Sequence, residues 1–109
     1  GSDANNEWID ALVRNDDVPI ELRATALDRA GRTMDIATLV KLYDASPGRP
    51  IRATIVQLLA TRKEPEALDK VVEIARNGTD PDMRRQAIGI LARSKDPRAS
   101  KLLLQLVDK

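Results

Sequence analysis

The strongest constraint on this fold is a pair of apolar helical stripes, separated by a very short turn, within residues 80–107. The first stripe follows the i, i+4, i+7, i+8 spacing of one helix face, and it consists of Met83, Ala87, Ile90 and Leu91. Asp80-Pro81 offers a capping carboxylate and then a proline where no N–H is needed, and Asp96-Pro97 repeats this start signal. The turn between the stripes is too short for anything but a reversal. The segment therefore predicts two antiparallel helices.

The second helix of this hairpin is predicted to bury a leucine-rich stripe. Its expected core positions are Ser100, Leu103, Leu104 and Val107, widened by Leu102 and Leu106.

The same pattern occurs 32 residues earlier in the chain. Ile51-Arg52 aligns with Met83-Arg84 in this frame, and Glu64-Pro65 aligns with Asp96-Pro97. A third and poorer copy begins at Leu22-Arg23. The matching positions are Ile55, Leu58, Leu59, Val71, Val72 and Ile74 in the second copy, and Ala26, Ala30, Leu39, Val40 and Leu42 in the poorer one. A fixed period of this kind is typical of solenoids, whose units bury their apolar faces only by stacking.

The chain resembles the HEAT-repeat family, in particular the short HEAT-like repeats of phycobilisome lyases. The resemblance rests on residues 80–87, DPDMRRQA, and 96–99, DPRA, and it extends over about residues 18–109. It implies an all-α, right-handed α-solenoid (an armadillo-like superhelix) of about three helical hairpins plus a leading helix. Tetratricopeptide repeats have a similar period but rely on aromatic positions, and this chain contains no Phe.

The predicted organisation is a single repeat domain over residues 5–109, preceded by an expression remnant and disordered start at residues 1–4. A leading helix occupies 5–17, and repeats 1, 2 and 3 occupy 18–47, 48–79 and 80–109. The predicted helices cover about residues 5–14, 19–30, 34–44, 50–61, 65–76, 81–93 and 97–107. Gly31 is interpreted as the residue after a helix C-terminus. We expect the chain to be a fragment of a longer array.

The composition argues against catalysis. The chain has no Cys and no His, which excludes disulfides and thiolate chemistry and removes the commonest general base. Asp16-Asp17 is interpreted as capping the helix at Pro19, and Trp8 as covering the first hairpin's core. We predict no catalytic residue, no cofactor and no metal site. No apolar run approaches the ~18 residues of a membrane span.

Arg23, Arg52 and Arg84 recur at one position of each repeat. The resemblance implies a structural role for this arginine column, which in HEAT-like repeats ties neighbouring repeats to acidic turn residues. A second column, Leu27, Val56 and Ile88, is predicted to contact neighbouring repeats, and the mid-helix Gly89 is attributed to close helix approach.

In the HEAT family the helices that carry this arginine usually line the concave surface on which partners bind. The resemblance therefore implies a candidate partner-binding face at Asp28, Gln57, Arg85 and Arg93. The predicted function is a non-catalytic protein–protein interaction scaffold. Two alternatives remain open: part of a HEAT-like enzyme such as a bilin lyase, and a rigid spacer between domains.

The charge pattern favours protein over nucleic acid as the partner. The net charge is only +1, with −4 over residues 1–47 and +3 over residues 80–109. Acidic residues interrupt the basic cluster near the C-terminus, and the chain has only two aromatic residues with which to stack bases. That cluster comprises Arg84, Arg85, Arg93, Lys95, Arg98 and Lys101. Self-association through truncated solenoid ends is a second expected contact.

Overall fold

The computed structural model describes residues 2–45 and 48–107, and the side chains of residues 7–45 and 48–106. All regular structure in these ranges is helical, with no strand. The helices are α1 (Ser2–Val13), α2 (Ile20–Ala30), α3 (Ile36–Ala45), α4 (Arg49–Thr61), α5 (Pro65–Asn77), α6 (Pro81–Arg93) and α7 (Pro97–Val107), with a 3-10 turn at Gly31–Thr33. The predicted all-α class is therefore confirmed. No described helix is long and apolar enough to cross a membrane.

The chain forms two compact units, of which the first spans residues 1–58. It contains α1 to α3 and most of α4, and α1 packs against α2. Its buried apolar side chains are almost all aliphatic. They are Ile9, Val13, Leu27, Met34, Ile36, Leu39, Leu42, Tyr43, Ile51, Ile55, Val56 and Leu58. Removing these side chains from water is the main force that holds the unit together.

The second unit spans residues 59–109 and consists of the end of α4 with α5, α6 and α7. α6 packs against α5 and α7, and α5 also touches α7. The predicted stripe of α6 is confirmed, because all four of its residues are buried. The unit's buried apolar side chains are Leu59, Ala67, Val71, Val72, Ile74, Ala75, Met83, Ala87, Ile90, Leu91 and Ala99. The fully buried alanines among them let the helices pack closely.

The predicted helix boundaries agree with the structure to within a few residues, with one exception at the start. α1 begins at Ser2, so residues 2–4 are helical and the predicted disordered start is wrong for them; Gly1 lies outside the described residues. α3 begins at Ile36 because the 3-10 turn and the extended Met34 precede it. Ser46 and Pro47 also lie outside the described residues.

Aspartates cap two of the helices as predicted. Asp80 accepts a hydrogen bond from the Asp82 N–H of α6 at 2.9 Å, and Asp96 accepts one from the Arg98 N–H of α7 at 2.9 Å. Glu64, at the matching position before α5, caps nothing with its side chain. Its longer carboxylate is held instead by the Arg62 guanidinium.

Gly31 follows α2 without the left-handed conformation that is typical of a glycine after a helix. Its φ of −69° is right-handed. A Cβ at this buried position would meet a terminal methyl group of Leu58, so a larger residue would require the Leu58 side chain to move.

Several predicted core positions are wrong. Leu104 is 63% exposed and Ser100 is also exposed, because α7 buries the stripe that begins at Ala99. Leu102, Leu103 and Leu106 are half-buried on that side, whereas the side chain of Val107 lies outside the described residues. In the first unit Leu22 and Trp8 are exposed, so Trp8 does not cover the core. On α2 the buried anchor is Leu27.

Candidate functional site

Arg23 holds the start of the first unit together. Its Nε donates to the carbonyl of Val18 at 2.8 Å, and its Nη1 donates to the carbonyl of Val13 at 3.0 Å. Asp16 lies at 3.8 Å from the same guanidinium, whose side chain is only 13% exposed. The arginine therefore fixes the end of α1 and the following loop onto α2.

Arg52 occupies the matching position on α4, and it also binds a main-chain carbonyl. Its Nε donates to the carbonyl of Tyr43 at 3.2 Å, and its guanidinium carbon lies 4.9 Å from the centre of the Tyr43 ring. Arg84, the third member of the column, is exposed, and its side chain makes no hydrogen bond or ion pair within the described part of the chain. Arg23 and Arg52 thus contact the main chain through their guanidinium groups, whereas Arg84 does not. The structural role implied for the whole column stays a prediction.

The implied link to a turn carboxylate takes a particular form at Arg23. The hydrogen-bond acceptors of Arg23 are main-chain carbonyls, and the Asp16 carboxylate lies nearby at 3.8 Å. Asp16 and Asp17 do not cap α2, whose N-cap is Pro19 and which has no side-chain cap. Instead the Asp17 N–H donates to the Asn15 side chain at 3.0 Å, which closes the loop.

The four candidate partner-binding residues are all exposed. In the first unit Asp28 of α2 pairs with Arg32 of the following 3-10 turn at 3.9 Å, and Gln57 is exposed on α4. In the second unit Arg85 pairs with Asp82 on α6, and Arg93 is exposed at the end of the same helix. These ion pairs are solvated, so folding depends little on them.

The burial of the second column differs between the two units. Leu27 and Val56 are fully buried, as expected for contacts between helices, but Ile88 is 37% exposed. Close helix approach does not explain Gly89 either. The atoms nearest to a Cβ at Gly89 belong to Arg93 of the same helix, at 3.3 Å. The Arg93 guanidinium therefore lies back over Gly89.

A cleft of about 450 Å³ lies within the second unit. Two turns form its rim: the α4–α5 turn with Arg62, Lys63 and Glu64, and the α6–α7 turn that follows Arg93. Its apolar floor comes from α4, α5 and α6. The complete lining is Leu59, Ala60, Arg62, Lys63, Glu64, Leu68, Val71, Ile90, Arg93, Ser94, Lys95 and Asp96.

The rim is electrostatically positive because its two acids are already engaged. The hydrogen bond from Arg62 holds the pKa of the Glu64 carboxyl below its ordinary value. Asp96 caps α7 and lies 3.8 Å from the Arg98 guanidinium. Lys63, Arg93 and Lys95 have no such partner within the described part of the chain, and all three are exposed. Three cations are thus available at the cleft.

The sequence predicted Arg93 as a contact residue and Lys95 only as a member of the basic cluster, and Lys63 was not singled out. A signal was present, because Lys95 follows Lys63 by 32 residues, the period of the repeat. The cleft offers charge and apolar surface, which suit binding. No group of three or more His, Cys, Asp or Glu that could hold a metal ion occurs among the described residues.

The comparison with known families agrees with this architecture. A family model described as HEAT repeats matches residues 36–109, so the chain belongs to the HEAT-repeat family. The predicted fold class, an all-α repeat of the HEAT type, is thereby confirmed. No curated protein and no solved structure gives a significant match. HEAT repeats are typically non-catalytic and generally mediate protein–protein interaction, whereas the likeness to phycobilisome lyases in particular stays a prediction.

Proposed function

We propose that this chain is a non-catalytic protein–protein interaction module. In this proposal its partner contacts the exposed sides of α2, α4 and α6, at Asp28, Gln57, Arg85 and Arg93. Membership of the HEAT-repeat family supports the general function. The arginine column is not part of the proposed contact face, because Arg23 and Arg52 donate hydrogen bonds to main-chain carbonyls.

The observation that carries the proposal is the division of each of these helices into a buried and an exposed side. Leu27 of α2, Val56 of α4 and Leu91 of α6 are buried in the two cores. The four candidate contact residues are exposed on the same helices. Their side chains are available to a partner at little cost to folding.

A capture experiment from the source lysate tests the proposal. The contact variant carries Asp28→Lys, Gln57→Lys and Arg85→Glu. The matched control carries Lys41→Glu, Glu66→Lys and Gln105→Lys on α3, α5 and α7, all at exposed positions and with the same change in net charge. We expect a protein that wild type and control retain and the contact variant loses. Equal retention by all three would overturn the proposed face.

The two alternatives, a rigid spacer and a part of an enzyme, predict different results. A rigid spacer would capture nothing, and an unrelated rigid segment of equal length would replace it in the parent protein. A part of an enzyme would instead lose activity on a single side-chain change that leaves capture intact. The first result would contradict the interaction module, and the second would contradict its non-catalytic character.

A further inference from the structure

We propose that the cleft of the second unit binds an acidic, aliphatic peptide segment of the partner protein. This inference rests on the proposed function and names the chemistry of the segment that would be recognised. The segment would place carboxylates against Lys63, Lys95 and Arg93, and an aliphatic side chain against the floor of the cleft.

The rim of the cleft keeps a positive charge because its two acidic residues are already neutralised. Glu64 is bound by Arg62, and Asp96 is occupied by the N-terminus of α7 and by Arg98. The three remaining cations have no ion-pair partner within the described residues. Complementary charge on a partner both accelerates encounter and selects against wrong partners, so the rim favours an acidic segment.

The floor argues for a peptide and against nucleic acid. Leu68 is half-buried and Ala60 is exposed beside the buried Leu59, Val71 and Ile90. An apolar surface does not favour phosphate groups, and no aromatic side chain lines the cleft to stack a base. A volume of about 450 Å³ lies within the usual range of pockets that enclose a small ligand. An aliphatic side chain with its flanking backbone fits such a space.

The repeat itself explains why the cations meet at one cleft. Lys63 precedes Glu64-Pro65 and Lys95 precedes Asp96-Pro97, so both lysines stand in the turn before a proline-initiated helix. Both turns line the same cleft, and Arg93 comes from the last turn of α6 beside them. A segment lying across the two turns would therefore encounter a positive charge at each.

Selection from a random peptide library displayed on phage tests this inference. The wild-type chain is immobilised, and the enriched sequences are measured again as synthetic peptides against the wild-type chain and its variants. The cleft variant carries Lys63→Glu and Lys95→Glu. The control carries Arg76→Glu and Lys101→Glu, which reverses two exposed charges outside the cleft lining. Thermal melting of each variant verifies that it is folded.

We expect the wild-type chain to enrich peptides that combine Asp or Glu with Leu, Ile or Val, and we expect the control to bind these peptides equally well. The cleft variant should bind these peptides about tenfold more weakly or worse, because two attractions become repulsions. Added salt should weaken binding to wild type. Lys63→Met with Lys95→Met should give a smaller loss, which separates charge from folding.

Three results would overturn the inference. They are enrichment without acidic and aliphatic residues, equal binding of the selected peptides to the cleft variant, and no enrichment on wild type. A single-stranded DNA oligonucleotide that competes with the peptides and is itself lost in the cleft variant would reassign the cleft to nucleic acid. Failure here leaves the proposed function standing if the Asp28/Gln57/Arg85 variant still loses its captured protein.

Discussion

The two units of this chain satisfy their helix ends by different means. In the first unit, arginines from the following helices bind main-chain carbonyls, as Arg23 does at Val13 and Val18 and Arg52 does at Tyr43. In the second unit, Asp80 and Asp96 cap the N-termini of α6 and α7. The arginine at the matching position, Arg84, is exposed there.

This difference shows that a repeated sequence position does not guarantee a repeated role. An arginine becomes structural where an unpaired carbonyl lies within its reach, and it otherwise stays in solvent. At the end of α5 the Ile74 carbonyl already accepts the Gly78 N–H at 2.9 Å.

A charge placed in either core should unfold the chain. Ile55 of the first unit and Leu91 of the second are both buried, so Ile55→Asp and Leu91→Asp should each cost about 4 kcal/mol or more. Urea denaturation and thermal melting measure the loss. The neighbouring exposed positions supply controls, Gln57→Asp and Ala92→Asp, which should stay folded. If either core variant melted like the wild-type chain, the assigned helix faces would be wrong.

Removal of Arg23 should cost far more than removal of Arg84. Arg23→Met leaves two carbonyls without a charged donor, for an expected loss of about 1–3 kcal/mol. Arg84→Met should change the unfolding free energy by about 0.5 kcal/mol at most, since Arg84 is exposed. Urea titrations of both variants give the comparison directly. Equal losses would mean that the two arginines have the same role.

Removal of a capping aspartate should have an intermediate effect. Asp80→Ala should cost about 1 kcal/mol, because the Asp82 N–H loses its acceptor, and Asp80→Asn should recover most of it. Glu64→Ala should cost less than Asp80→Ala, since Glu64 makes no side-chain cap. Chemical denaturation of the three variants measures this order. A larger loss at Glu64 would contradict the assignment of the caps.

The Arg62–Glu64 pair should add a small dependence of stability on pH. Arg62 lowers the folded pKa of Glu64 from its ordinary value of 4.5, so the pair stabilises the fold above about pH 4.5. This stabilisation is lost as the pH falls through the lowered pKa. The effect is small because the Glu64 side chain is 41% exposed and screened by salt. Unfolding free energies of wild type and Glu64→Gln should therefore converge in acid, and parallel pH profiles would contradict the prediction.

The smallest effect is expected at the proposed contact surface. Arg85→Glu should change stability by only about 0.5 kcal/mol, because the Arg85 side chain is 76% exposed. Its new carboxylate lies one turn from Asp82, which costs only a few tenths of a kcal/mol. A thermal melt checks this. A large loss of stability would show that Arg85 belongs to the fold and not to a free surface.

The sequence predicted most of the helices because proline, aspartate and apolar spacing agree at their starts. It failed where two nearly equivalent helix faces compete. On α7 a run of leucines fits two stripes one residue apart, and only packing against α5 and α6 selects the one that begins at Ala99. On α2, Leu27 is the large buried anchor while Leu22 is exposed.

The candidate site was less predictable than the fold. Exposure of Asp28, Gln57, Arg85 and Arg93 followed from helix periodicity alone. The positive charge of the cleft could not be predicted in this way, because it depends on which rim charges neutralise one another. Glu64 could equally have capped α5, and its engagement by Arg62 is a matter of side-chain geometry that no spacing reveals.

The most direct test of the proposed interaction is site-specific photo-crosslinking in the source lysate. A photo-reactive phenylalanine analogue replaces Gln57 or Arg85 on the proposed contact side, and Lys41 or Gln105 on the other helices. The account predicts that Gln57 and Arg85 crosslink to a common protein and that Lys41 and Gln105 do not. Crosslinks to that protein from Lys41 and Gln105 alone would contradict it.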